Sequence, residues 1–263
     1  MLSGLVSITF RNESADRIIS IAREHKLAAI EWGGDQHVPH GDLETAHQVG
    51  QATRAAGLEV ASYGSYWRAG EASDDPGLAP AKVIETAVAL GAPSIRIWAG
   101  KQRADTATPE YREQVTADCR EFAREAAKAN LQVHLEYHDW TLTNEPDSAV
   151  RLLQDVDESN FFTLWQPPND TSLEKCRESL LKVLPWVAHV HVFHWGKGWK
   201  DRFPLADGRE RWRQYFSLLE GAPARQPRYA LLEFVRDDDP AQLARDAETL
   251  HHWLQKSWGQ PQG

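Results

Sequence analysis

Cysteine is scarce in this 263-residue chain: only Cys119 and Cys176 are present, each inside a stretch that reads as helix. Two such thiols make no disulfide framework, and a reducing cytoplasm suits them. No run of 18 apolar residues exists, so nothing is expected to span a bilayer. The opening MLSGLVSITFRNE lacks a basic start followed by a long apolar stretch, so no signal peptide is expected. Positive charge is short as well, with 29 Lys+Arg against 38 Asp+Glu and a net of −9. That balance argues against a nucleic-acid partner, which needs a basic footprint, and against an anionic membrane surface. There is no low-complexity tract, and the 41% hydrophobic content excludes a disordered chain.

What is plentiful is tryptophan, with 11 residues, and an alternating pattern of strand and helix. Eight short runs rich in β-branched or aromatic residues read as strands: 4–10, 27–33, 59–64, 94–100, 132–138, 160–166, 187–195 and 229–235. Between them, apolar residues recur at three- and four-residue spacing, as amphipathic helices require. Ser14 and Thr108-Pro109 read as helix starts, and Gly57 and Gly91 as helix ends. The last helix is expected from Asp239-Pro240 to about Lys256. Eight β-then-α units predict an α/β protein of one domain, a (β/α)8 TIM barrel over 1–256 with a frayed tail over 257–263. A doubly wound open sheet is the alternative, but the loop after strand one, ITFRNESAD, lacks the glycines of a nucleotide site.

In such a barrel the active site lies at the carboxyl ends of the strands. There stand Glu31 on strand two, His134, Glu136 and His138 on one face of strand five, Gln166 ending strand six, His189 and His191 on strand seven, and Glu233 ending strand eight. Two glutamates and a histidine converging from strands five, seven and eight suit a divalent cation, because charges in a barrel mouth are costly unless paired or metal-bound. A buried polar network is the competing reading.

The segments IEWGGDQHVPHGD (30–42), VHLEYH (133–138), AHVHVF (188–193) and LLEFV (231–235), with their spacing, resemble the xylose-isomerase-like TIM-barrel family, also called the sugar phosphate isomerase/epimerase family. The resemblance runs over nearly the whole chain. It implies one divalent metal on Glu136, Gln166, His191 and Glu233, with Mn2+ placed first and Mg2+, Co2+ or Zn2+ as alternatives. Gln166 departs from the family's usual Asp, Asn169 from a frequent His, and His194 from a frequent Asp. Gln for Asp removes one negative charge, so metal binding should weaken, and Gln166 serves as a ligand only with its amide nitrogen turned away.

The resemblance further implies proton transfer next to a carbonyl, with Glu136 and Glu233 as the acid–base pair. An isomerase or epimerase acting on a non-phosphorylated sugar or keto-sugar is the first expectation. A lyase on the same scaffold, acting on an inosose or a 3-keto-glycoside, is the second, since an enediolate also expels a β-leaving group. An apurinic endonuclease is disfavoured by the charge and the thin ligand set. A barrel that has lost its metal is disfavoured by Glu136, His191 and Glu233 all being present. His138 is a candidate for sugar hydroxyls, and Lys197 and Arg202 for a hydroxyl or carboxylate. Glu31 and Arg96 share barrel-facing parity and read either as a buried pair or as substrate contacts. Asp237, Asp238 and Asp239 after strand eight would repel a phosphate there. Seven tryptophans fall at the strand ends or just beyond. By parity Trp32 and Trp165 point at helices, whereas Trp67, Trp98, Trp140, Trp195 and Trp199 are read as an aromatic wall for a ring-form sugar or glycoside. A homo-oligomer is left open.

Overall fold

The computed structural model describes residues 1–222 and 228–255. Eight parallel strands close into a barrel in sequence order, β1 pairing with both β2 and β8. They are β1 (Leu2–Val6), β2 (Ala29–Gly33), β3 (Glu59–Arg68), β4 (Ser94–Trp98), β5 (Gln132–Glu136), β6 (Phe161–Trp165), β7 (Val187–Val192) and β8 (Tyr229–Leu232). The outer ring is α1 (Ala15–Glu24), α2 (Leu43–Ala55), α3 (Pro80–Leu90), α4 (Pro109–Lys128), α5 (Pro146–Val156), α6 (Leu173–Val183), α7 (Arg209–Glu220) and α8 (Pro240–Leu254). The expected barrel is therefore the observed one. The tail over 257–263, with Trp258, and Lys256 lie outside the described residues.

Local chemistry sets the helix ends. The Ser14 hydroxyl accepts from Arg17 N–H at 3.2 Å, and that of Thr108 from Tyr111 N–H at 3.2 Å, each satisfying a donor the helix cannot. Gly91 stops α3 at φ 72°, a conformation costly for any residue with a Cβ.

Most strands are shorter than their apolar runs suggested. Past the barrel rim a strand has no neighbour to pair with, and side chains take over. Ser7–Phe10 forms a 3-10 turn instead of continuing β1. Its Ser7 hydroxyl accepts from Gly33 N–H at 2.9 Å, and its Thr9 hydroxyl from Phe234 N–H at 3.1 Å, which ties β1 to the ends of β2 and β8. β3 is the exception, running four residues beyond Gly64 to Arg68.

The barrel interior is layered. At the floor, His134, His189 and Tyr229 pack edge to face, His134 to His189 at 4.7 Å and His189 to Tyr229 at 5.0 Å between ring centres. Burial holds both histidines neutral, His189 near 4 and His134 well below its ordinary value. Above them Val6, Ala29, Ala61 and Leu231 give an apolar layer. The charged groups lie toward the carboxyl ends of the strands.

Candidate active site

Glu31, Arg96, Glu136, His191 and Glu233 come from β2, β4, β5, β7 and the end of β8, and all are buried. Strand alternation places each on the inward face, where the parallel register brings them together. Arg96 is the link. Its Nη1 meets Glu136 Oε2 at 2.5 Å and its Nε lies 3.5 Å from Glu31 Oε1. The Glu31–Arg96 pair is thus a buried one, and it belongs to the same cluster as Glu136.

Gly64 is part of this arrangement. A Cβ there would lie 2.9 Å from Arg96 Nη2 and 3.0 Å from Glu31 Oε1. Only a residue without a side chain lets the backbone of β3 pass so close to the ion pair.

The two expected acid–base carboxylates sit in different surroundings. Glu136 accepts from Arg96, from the indole N–H of Trp98, and from the Gln166 amide at 3.2 Å. Burial pushes its pKa up, but the Arg96 charge first, then those of His138 and His191 and the Trp98 N–H, outweigh that and hold it near 2. Among the described residues, the Glu233 side chain pairs only with His191, whose Nδ1 lies at 3.4 Å. His191 Nδ1 also lies 3.9 Å from Glu136, and its Nε2 lies 3.6 Å from Glu31. Burial disfavours the imidazolium, but the Glu233 and Glu31 charges override it and raise His191 to about 10.

Three carboxylates here face one guanidinium and the His191 ring, which they hold protonated, so the cluster still carries excess negative charge. Both oxygens of Glu31, both ring nitrogens of His191 and Gln166 Oε1 are buried without a hydrogen-bond partner. Two carboxylates, an imidazole and an amide oxygen around that excess charge fit a divalent cation chemically. As placed, no group of three or more His, Cys, Asp or Glu among the described residues is drawn into a closed coordination shell. Gln166 turns its amide nitrogen toward Glu136 Oε1 and the Tyr137 carbonyl, the reverse of the orientation a ligand needs.

Around this centre opens a cavity of about 160 Å3 whose lining includes Glu136, His138, Gln166, Asn169 and Glu233. Trp140, Trp195 and Trp199 form part of its wall, and Trp140 and Trp199 are exposed. Trp195 stacks on Phe193 at 3.6 Å. Trp98 lies beside His138, 5.4 Å between ring centres. Asn169 donates to Asp139 at 3.2 Å.

Other expected residues lie elsewhere. Trp67 is inside β3, not in a loop, and its outward parity stacks it on Phe122 of α4 at 4.4 Å, so it is core and not wall. His194 and Lys197 line a neighbouring cavity with Arg211, beyond the Phe193–Trp195 stack. Arg202 is spent on Asp238 and the Val235 carbonyl, where it braces the loop after β7 against the loop after β8. Trp32 and Trp165 do point at helices, donating to Thr53 and Ser179.

Sequence reading missed Tyr66 and Arg68. Tyr66 packs on Trp98 at 5.3 Å, and the Arg68 guanidinium lies over the same indole at 3.7 Å. Continuing the alternation of β3 past Gly64 puts both on the inward face and Trp67 outside. Phe234 was missed too. It holds φ 46°, a strained conformation for an aromatic residue, directly after Glu233.

Comparison with known proteins bears on this site. A 3-dehydroshikimate dehydratase from Bacillus anthracis is 26% identical over 208 residues, 73% of this chain and 71% of that protein. The crystal structure of a probable 3-DHS dehydratase of petrobactin synthesis from Bacillus anthracis superposes with a TM-score of 0.79 at 20% identity, over 95% of this chain and 99% of that one. A 3-keto-D-glucoside 4-epimerase from E. coli superposes at 0.70 and 17% identity, over 96% and 99%. These relatives are enzymes, a dehydratase and an epimerase among them. The pattern of xylose isomerase-like TIM barrels matches residues 19–256, and with the closed barrel and its strand-end cluster the chain belongs to that family.

Proposed function

We propose that the chain is a lyase that removes water from a polyhydroxy ketone, starting at the carbon next to the carbonyl. The observation that carries this reading is the asymmetry of the two carboxylates. Glu136 is saturated by three donors and held near 2, so it is a poor proton acceptor. Among the described residues, the Glu233 side chain approaches no charged or hydrogen-bonding side chain except His191. One free carboxylate suits chemistry with a single base, and an elimination needs no more.

In this scheme Glu233 takes the proton from the α carbon, and the C–H electron pair becomes the enolate. The enolate then expels the β-hydroxyl, to which the Glu233 carboxylic acid returns the proton. The products are an α,β-unsaturated ketone and one water, with Glu233 regenerated. Arg96 fixes Glu136 and, through it, the Trp98 indole, which gives the substrate a rigid polar floor. His138 and Asn169 offer hydroxyl contacts from the cavity wall. A divalent cation, manganese first among the candidates, would be held by Glu136, His191, Glu233 and a turned Gln166, and would supply Lewis-acid polarisation of the ketone oxygen.

The 3-dehydroshikimate dehydratase relative supports this reading. Epimerisation is the second reading, favoured by Glu136 and Glu233 both approaching His191 Nδ1. It requires Glu136 to leave Arg96 so that a second base becomes free.

NMR of 3-dehydroshikimate, an inosose, a 3-keto-glucoside and free ketohexoses, each incubated with protein and Mn2+ in D2O, tests the proposal. We expect loss of water and an enone, with Glu233→Gln lowering kcat at least about 100-fold, as loss of a general base does. Deuterium exchange with a new epimer and no enone would replace it by the second reading.

A further inference from the structure

Arginines at the carboxyl ends of the strands mostly have an acidic partner. Arg11 pairs with Asp35, Arg96 with Glu31 and Glu136, and Arg202 with Asp238. Arg68 has none within ion-pair distance among the described residues. Its guanidinium lies flat over the Trp98 ring at 3.7 Å, and one nitrogen donates to the Gly100 carbonyl at 3.0 Å. The acids that bear on it are committed elsewhere. Glu136 is taken by Arg96 and Trp98. Glu71 is taken by Lys101 Nζ at 2.6 Å and by the Tyr111 hydroxyl at 2.6 Å.

Arg68 is partly buried, and burial works against its charge. Stacking on an indole returns only part of that cost. A guanidinium held in place with free N–H groups and no counter-charge is preorganised for an incoming anion. Its location is specific. Trp98 carries Arg68 on its face and reaches Glu136 with its indole N–H, so one side chain joins the cation to the reacting centre.

We infer that the substrate of this site carries a carboxylate, and that Arg68 on the Trp98 face receives it. This rests on Glu136 and Glu233 being the reacting centre, and it narrows the substrate from polyhydroxy ketones in general to keto acids among them. A carboxylate fits better than a phosphate. Arg68 is a single cation with Glu71 and Glu136 nearby, a field that accepts one negative charge more readily than two.

The test reads binding, not turnover. Isothermal titration of the whole protein compares shikimate, its methyl ester and inorganic phosphate. We expect the acid to bind at least tenfold more tightly than the ester. Arg68→Gln should erase that preference by weakening the acid alone, and Arg68→Lys should keep part of it. Inorganic phosphate should bind more weakly than the acid. Equal affinity for acid and ester, no binding of either, or an Arg68→Gln protein that holds the acid undiminished would overturn the inference; phosphate binding more tightly than the acid would overturn the choice of carboxylate. Should Arg68→Gln fail to fold, the acid–ester ratio of the wild type and Arg68→Lys decides. Retained preference for the acid with no turnover of any ketone would sink the lyase reading and leave this one standing. Turnover of neutral ketoses indifferent to Arg68 would do the reverse.

Discussion

Arg96 is the buried cation that Glu31 and Glu136 share. Removing it, as in Arg96→Met, leaves Glu31 and Glu136 buried without their shared cation. Breaking a buried pair from one side costs about 3–5 kcal/mol. Urea unfolding should report a loss of that size, whereas Arg11→Met, which removes an exposed partner of Asp35, should cost less than about 1 kcal/mol. His37 shows a second kind of dependence. Its Nε2–H donates to the Glu13 carbonyl, so the neutral ring must accept the Ser7 hydroxyl at Nδ1. Burial holds its pKa below the ordinary 6.5, and that of His40 likewise. The unfolded chain therefore binds more protons as pH falls through 6.5, and stability contributed above that pH is lost below it. Melting temperature should fall between pH 7.5 and 5, and His37→Gln should fall less steeply. An equally steep fall in the variant would remove His37 from the account.

At the scale of elements, β3 decides how the site is built. Gly64→Ala forces a methyl against both members of the Glu31–Arg96 pair. Overpacking of this kind costs about 1–3 kcal/mol, and here it should also displace Glu136 through Arg96. We expect a lower melting point together with lost turnover, whereas Gly57→Ala, whose Cβ would meet nothing, should cost stability through its φ of 78° but spare turnover. The same strand marks the limit of what the sequence made legible. Eight apolar runs at regular spacing fix the barrel, and period-two alternation puts Glu136, His191 and Glu233 on the inward face. Alternation failed where a strand was given the wrong end. Stopping β3 at Gly64 turned Trp67 into a loop residue and hid Tyr66 and Arg68. Which partners saturate Glu136 was not legible at all, because it depends on the register between β4, β5 and β6 and on rotamers that no spacing encodes.

For the molecule as a whole, the central question is how a barrel with net charge −9 tolerates three buried carboxylates at one point. Gln166 is one answer, since a carboxylate in its place would add a fourth. It also gives Glu136 an N–H that an aspartate could not. If the centre takes the divalent cation proposed for it, the residue at this position trades the stability of the metal-free barrel against affinity for that ion. Gln166→Asp should lower the melting point in the presence of chelator, through repulsion and the lost hydrogen bond. With Mn2+ the order should invert. A ligand that binds only the folded chain stabilises it by about 2.7 kcal/mol at a hundred times its dissociation constant, and 1 kcal/mol moves a barrel of this size by roughly 2–4 °C. Wild type should thus gain several degrees with saturating Mn2+, and the Asp variant should gain more at a lower concentration of the ion. A wild type indifferent to Mn2+ alongside a responsive variant would mean that Gln166 has abolished the metal site. Equal responses from the two would mean that the sixth strand contributes no ligand, and that any metal rests on Glu136, His191 and Glu233 alone.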